Sequence, residues 1–373
     1  MSDNLDTRMM ARALQLAKRG QYSAMPNPHV GCVLVRDGLV VGEGFTQPAG
    51  GNHAEIEALQ RAGAEARGAT AYVTLEPCSH QGKTGPCASA LVKAGVRRVV
   101  AAMMDPNPLV AGNGFDLLRA EGVQVESGLL ETDARELIPG FIARMVRGRG
   151  RVRAKLAMSL DGRTAMASGE SQWITGPAAR ADVQRLRAMS CAVVTGVGTV
   201  IADDCSLTVR AGELGLPALE AERASARQPL RVVLDSKLRT PAGAKVLDRA
   251  APTLLCHARQ TTVPPAIIAT AVERLPLDSF EAGLDLPGLL HFLNARQSNE
   301  ILLECGPRLA GAFLQQGLLD EIIVYMAPVL MGSEARPLLS LPLHRMADKV
   351  SLDIADMRKV GDDWRITAVP QYK

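Results

Sequence analysis

The chain has 373 residues, 47% hydrophobic and 22% charged, proportions of a soluble globular protein too long for one comfortable core. Its formal net charge is only +3 and aromatics make up 3%, so neither a basic stripe nor stacking platforms for nucleic acid are expected. The polar start MSDNLDTRMM is unlike a signal peptide, and no apolar run approaches membrane-spanning length. Seven cysteines, an odd number, predict a reducing compartment, the cytoplasm.

In chain order, helical spacing over 6–19 predicts a helix ended by Gly20. YSAMPNPHVGCVLVRDGLVVGEGF then reads as a Pro-rich loop and a hairpin turning at Asp37-Gly38. HAE at 53–55 opens a helical pattern (HAEIEALQRAG), and a strand is expected over 71–75. PCSHQGKTGPC follows, with a helix from Cys87 to Gly95 and a strand at RRVVAAMM. A helix over 115–121, a strand over 123–126 and a helix over 133–146 complete a three-layer α/β domain. The basic run RGRGRVRAK reads as a solvated linker, which sets the predicted domains at 1–147 and 148–373.

The second half is expected to be another mixed α/β domain. It opens with a strand over 153–158, a turn at SLDGRTA and a helix over 177–188. The strand CAVVT leads into GVGTVIADD, and the Ala-rich insertion 211–228 reads as a surface loop. PLRVVLD and PTLLCHA predict strands, 287–296 a helix, EILLECG a strand, PRLAGAFLQQG a helix and EIIVYMAPVLM a strand. A hairpin pattern, SLDIADMRKVGDDWRITAV, closes the chain.

Two stretches carry chemistry. His53, Cys78 and Cys87 supply one imidazole and two thiols, a ligand set for Zn2+ that leaves a fourth position open for water, as catalytic sites do. Cys87 opens a helical pattern, a placement that favours the thiolate. Glu55, two residues past His53, can reach such a water from the first helical turn without ligating the metal, the arrangement of nucleobase deaminases. Their usual signature ends in Cys-x-x-Cys, whereas eight residues separate Cys78 from Cys87. In the second half, TGVGT (195–199) and ECGPRLAG (304–311) each put a glycine turn after an apolar strand, where backbone N–H groups could receive a phosphate. Neither is a Rossmann fingerprint.

Together these motifs resemble one known family. HAE with PCSHQGKTGPC, PNPHVGCV before them and DPNPLVAGNG after resemble the pyrimidine deaminase of riboflavin biosynthesis. MSLDGRTA, SGESQWIT, VVTGVGTVIADDCSLTVR and LLECGPRLAGAFL resemble its fused reductase. The resemblance covers almost the whole chain, and the long cysteine spacing fits this family. It implies a cytidine-deaminase-like first domain and a dihydrofolate-reductase-like second one. It also implies zinc-dependent deamination of a phosphorylated diaminopyrimidine riboside, then NADPH-dependent reduction of its ribosyl group to ribityl.

Residue by residue, the resemblance implies zinc on His53, Cys78 and Cys87, and Glu55 taking a proton from the bound water and passing it to the departing ammonia. Asn27 would meet the pyrimidine, His80 and Lys83 the ribose phosphate, and Asp105 and Asn107 would form a second substrate loop. For NADPH it implies Ala157, Trp173, Thr199, Asp203, Ser236 and the turn Gly306, Pro307, Arg308, Leu309, Ala310, Gly311 and Ala312. For the sugar phosphate it implies Ser171, Arg187, Leu207, Arg210 and Glu304, with Lys155 positioning the reacting ribose. Trp173 equally reads as a core aromatic. A homo-oligomer, dimer or tetramer, is the family expectation. The competing reading is a cytidine or transfer-RNA adenosine deaminase with a non-catalytic, nucleotide-sensing second half. The low aromatic content argues against it.

Overall fold

The computed structural model of the protein describes residues 2–79, 85–108, 110–270, 272–281 and 283–372. The chain divides into two compact units, Met1–Arg149 and Gly150–Lys373.

The first unit runs α1 (Ser2–Lys18), β1 (Gly31–Arg36), β2 (Leu39–Phe45), α2 (Ala54–Ala62), β3 (Thr70–Val73), α3 (Cys87–Lys93), β4 (Arg98–Ala101), α4 (Asn113–Ala120), β5 (Gln124–Ser127), α5 (Glu131–Leu137) and α6 (Pro139–Arg147). Its five strands lie in the order β2-β1-β3-β4-β5, with β1 antiparallel to both neighbours and the rest parallel. Glycines on alternate strand positions show why helices cover both faces. A Cβ at Gly31 would lie 1.9 Å from the Ala13 carbonyl of α1, and one at Gly44 2.2 Å from the Ala54 carbonyl of α2. Gly44 is registered with Cys32, whose side chain points opposite to that of its neighbour Gly31. The sheet is therefore sandwiched, three layers deep. The single helix expected over 133–146 is two, because Pro139 has no N–H to continue the ladder and starts a new helix at its first position.

The second unit runs β6 (Arg151–Ser159), β7 (Arg163–Ala165), α7 (Pro177–Ala188), β8 (Ala192–Gly196), α8 (Val197–Asp203), α9 (Ala218–Ala226), β9 (Leu230–Leu234), β10 (Thr253–Ala258), α10 (Pro265–Ile268) and β11 (Glu273–Leu277). It continues through β12 (Ser279–Phe280), β13 (Gly283–Leu284), α11 (Leu286–Ala295), β14 (Glu300–Leu303), α12 (Pro307–Gln315), β15 (Glu321–Ala327), β16 (Arg336–Pro337), β17 (Ser351–Val360) and β18 (Asp363–Gln371). Nine strands form one sheet, β11-β10-β9-β8-β14-β6-β15-β18-β17, parallel except where β18 runs antiparallel to both β15 and β17. The two-residue period divides each strand between two cores. Ala192, Val194, Ile301 and Leu303 meet Leu289, Leu293 and Phe313 of α11 and α12 on one face. Val193 and Leu302 meet Ala179, Val183 and Leu186 of α7 on the other. Each leucine so buried is worth roughly 1.5–3 kcal/mol.

Two expectations change here. The insertion 211–228 is not a plain loop but holds α9, whose Ala221 and Ala224 are buried. The basic run is a linker only in its first half. From Arg151 it is β6, where Val152 and Ala154 are core, Arg153 is buried against Glu300, and Arg151 pairs with Glu321. Paired charges can be buried in a central strand, so composition alone misread them.

Candidate active sites

In the first unit, β2 presents Gly42 and Gly44 to α2, so the helix lies directly on the strand and its first turn is fixed. His53 precedes α2 in extended conformation, and Glu55 follows inside the helix, 4% exposed. Cys78 lies on the chain leaving β3, and Cys87 is the first residue of α3. Nδ1 of His53 is 3.7 Å from Sγ of Cys78 and 3.3 Å from Sγ of Cys87, and the Cys87 N–H donates to Cys78 Sγ at 3.3 Å. The three ligand atoms all lie within 4.8 Å of one another. Tetrahedral zinc, with Zn–S about 2.3 Å and Zn–N about 2.0–2.1 Å, sets such atoms roughly 3.5–3.8 Å apart, so the donor set fits the metal.

The bond between the two thiols splits them: with burial it holds Cys87 well up, against the thiolate that its helix start predicts. The hydrogen bond from the Cys87 side chain, aided by His53, draws the Cys78 thiol down to about 4 against the cost of burial. The bond to Cys78 raises His53. Burial, with the Cys78 charge beside it, pushes Glu55 up to about 7. A carboxyl poised there can both take and give a proton near neutral pH. Asn27 is half-buried on the loop before β1, its N–H donating to the Ala24 carbonyl. Asp105 and Asn107 are half-buried beyond β4, with the Asn107 N–H on Asp105 Oδ1 at 2.8 Å. His80 and Lys83 lie outside the described residues.

In the second unit the expected residues converge at the carboxyl ends of parallel strands, where open α/β sheets bind ligands. Leu303 of β14 is registered with Ala154 of β6, which sets Glu304 beside Lys155. Arg187 of α7 forks onto Glu304 at 2.5 and 2.8 Å and donates to the Thr208 carbonyl at 3.1 Å. Asp203, at the end of α8, accepts from Ser171 Oγ at 3.5 Å. Burial lowers Lys155, partly offset by the Glu304 and Asp203 charges. Lys155, Arg187, Asp203 and Glu304 thus form one balanced cluster. Arg187 already spends its fork on a carboxylate, which makes it a builder of the site as much as a phosphate ligand.

The two glycine turns are neighbours: a Cβ on Gly196 would touch Leu309 at 3.6 Å, while one on Gly306 would meet open space. Thr199 and Ser236 are half-buried and Arg308 is exposed near these turns. Two buried polar atoms at adjacent strand ends, Oγ1 of Thr195 and Oδ1 of Asp235, have no hydrogen-bond partner. The open glycine turn and the unpartnered Thr195 hydroxyl, which can donate, fit a phosphate-bearing cofactor such as NADPH, whereas Asp235 Oδ1 can only accept and suits a hydroxyl or amide of the cofactor. Asp235 was missed in the sequence, where an Asp ending a buried strand carries no distinguishing signal, while Thr195 opens the TGVGT turn already singled out.

Not every expected side chain faces this cleft. Leu207, Ala310 and Gly311 are buried, and a Cβ on Gly311 would strike the Ser340 carbonyl at 2.3 Å, so only their backbones remain for a ligand. Arg210 is exposed and pairs with Glu213. Trp173 is no core aromatic: it is 71% exposed, with the Arg180 guanidinium 4.7 Å from its ring centre.

Comparison with known proteins finds matches for both halves of the chain. Residues 3–103 match the cytidine and deoxycytidylate deaminase zinc-binding region, and residues 151–366 match the RibD C-terminal domain. The riboflavin biosynthesis protein RibD of Escherichia coli K12 is 49% identical over 96% of this chain and 97% of its own. That of Haemophilus influenzae is 46% identical over 98% of each. Among solved structures, Acinetobacter baumannii RibD is 46% identical with a TM-score of 0.91 over 99% of both chains. A Thermotoga maritima diaminohydroxyphosphoribosylaminopyrimidine deaminase/5-amino-6-(5-phosphoribosylamino)uracil reductase is 30% identical with a TM-score of 0.86 over 100% of both. The chain belongs to the RibD family, bifunctional enzymes of riboflavin biosynthesis with a zinc-dependent deaminase and an NADPH-dependent reductase in one polypeptide.

Proposed function

We propose that the deaminase works through His53, Cys78 and Cys87 as zinc ligands and Glu55 as proton carrier, within a domain spanning 1–147. The observation that carries this reading is the meeting of three soft ligand atoms within 4.8 Å beside a buried carboxyl. Zinc bound there supplies a water acidic enough to attack at neutral pH. Glu55 takes the proton which that water gives up and returns it to the leaving amine, which its position near 7 suits. Asn27, Asp105 and Asn107 hold the base, and His80 and Lys83 receive the ribose phosphate.

In the reductase, spanning 148–373, bound NADPH supplies the hydride. Gly306 to Ala312, Thr199, Asp203, Ser236, Ala157 and Trp173 hold the cofactor. Ser171, Arg210 and the Leu207 backbone meet the sugar phosphate. Lys155, aligned by Glu304 and Arg187, orients the ribose so that its anomeric carbon faces the donor. Mass spectrometry of the diaminopyrimidine ribosyl phosphate after incubation tests the scheme. Amine should become carbonyl without cofactor, and two further hydrogens should appear only with NADPH. No change with metal-replete protein would sink the scheme.

The enzyme is also read as a cytoplasmic homo-oligomer, dimer or tetramer. All seven cysteines are free, and no described helix is long and apolar enough to cross a membrane. β17 is a ten-residue edge strand with Leu352, Ile354 and Met357 exposed, and its acids precede its bases. Two copies paired antiparallel would set acid against base. A monomeric mass by light scattering at working concentration would refute the assembly.

A further inference from the structure

Glu76 stands between β3 and Cys78, and nothing in the scheme above uses it. It is only 3% exposed, a costly place for a carboxylate unless its oxygens are satisfied. They are satisfied by backbone. Oε2 accepts from the N–H groups of Asp105 at 3.1 Å and Gly112 at 3.0 Å, and Oε1 from those of Gly114 at 2.8 Å and Phe115 at 3.4 Å. Its own N–H donates to the Met103 carbonyl at 3.0 Å. A Cβ on Gly114 would lie 2.1 Å from the Pro77 carbonyl, so the start of α4 is pressed against the chain that leads to Cys78. From Asp105 the chain of bonds continues to Asn107, whose N–H rests on Asp105 Oδ1. One side chain therefore ties Asp105, on which Asn107 rests, and the Gly112–Phe115 stretch beyond it to the segment carrying a metal ligand.

We propose that Glu76 is a positioning residue for the deaminase substrate, holding Asp105 and Asn107 in register with Cys78 and hence with the reacting carbon. The inference rests on the reading of Asp105 and Asn107 as substrate contacts. Charge is needed as well as shape: an amide in place of the carboxylate would turn a donor toward two N–H groups and leave them unpaired. A loosened loop costs substrate binding, while the metal, held by His53 and the two thiols, stays.

Glu76→Gln in the full-length, zinc-loaded enzyme tests this against substrate. The expected result is a deaminase KM raised about tenfold, with kcat within a few-fold, full zinc stoichiometry and unchanged reductase turnover. Glu76→Asp, which keeps the charge on a shorter arm, should fall between Gln and the parent. An unchanged KM in either zinc-loaded variant overturns the proposal, as does loss of zinc from both, because Glu76 would then support the metal loop. Asn107→Ala separates the two layers. If it raises KM while Glu76→Gln does not, only the positioning role fails; if neither raises KM, the substrate reading of the loop fails too.

Discussion

Each half of the molecule buries one glutamate at the centre of its chemistry, and the two are moved in opposite directions. Glu55 has no guanidinium to fork onto it; burial dominates and pushes it up to about 7, where a carboxyl can exchange protons. Burial would push Glu304 up as well, but the Arg187 guanidinium, with the Lys155 and Arg210 charges, outweighs it and holds the carboxyl below its ordinary value. A proton carrier is made by leaving a carboxyl unpaired, and a fixed anion by pairing it. The deaminase site is thus poised for proton transfer and the reductase site for charge-stable orientation, as a reaction fed with hydride by its cofactor requires.

Several experiments would break or sharpen that contrast. The largest effect should come from Cys87→Ala or from chelation: deamination should vanish with the metal while NADPH-dependent reduction of supplied deaminated substrate persists. Joint loss of both activities would contradict independent chemistry. Next, Glu55→Ala should cut deaminase kcat by about 10²–10⁴ with zinc still bound. Metal lost along with activity would make Glu55 a ligand rather than a proton carrier.

Arg187→Ala should strand the buried Glu304 charge and destabilise the second half by about 3–5 kcal/mol, visible as an earlier thermal transition with deamination intact. Adding Glu304→Gln should recover part of that loss. No recovery in the double variant would mean the pair is not what stabilises the cluster.

The smallest effect separates the halves by pH. Burial lowers His29 from 6.5 to about 4, and Nδ1 of His29 has no partner. The unfolded chain therefore takes up a proton before the folded one does. Stability fully present above about 6.5 is lost as pH falls toward about 4, by up to about 3 kcal/mol. Glu304, lowered from its ordinary 4.5, begins to cost the second half stability only as pH falls through the acid end of that window. Denaturant melts of His29→Gln at pH 7 and pH 4.5 should show a smaller loss than the parent. Equal losses would dismiss His29 as the cause.

The amino-acid sequence alone determined what local chemistry can express. HAE and the two PC dipeptides point to a zinc-ligand set and a carboxyl because one imidazole, two thiols and a nearby acid at this spacing are the donor set of a catalytic metal. Helix 177–188 was legible to the residue because Gly176 and Pro177 mark its start and apolar spacing its length. Tertiary structure alone decided whatever depends on a distant partner. Arg151 looks like a solvated linker, and Arg153 like a charge out of place in its strand, until Glu321 and Glu300 arrive from other strands. Arg187 reads only as a phosphate ligand until Glu304, over a hundred residues away, is seen in its fork, which makes it a builder of the site as well. Trp173 reads equally as cofactor contact or core until its 71% exposure removes the second, and Glu76 looks like any acid before a proline until four N–H groups converge on it. Periodicity and motif spacing are short-range properties of the chain. The pairing of buried charges is set by which strands become neighbours, and that is fixed only when the sheet closes.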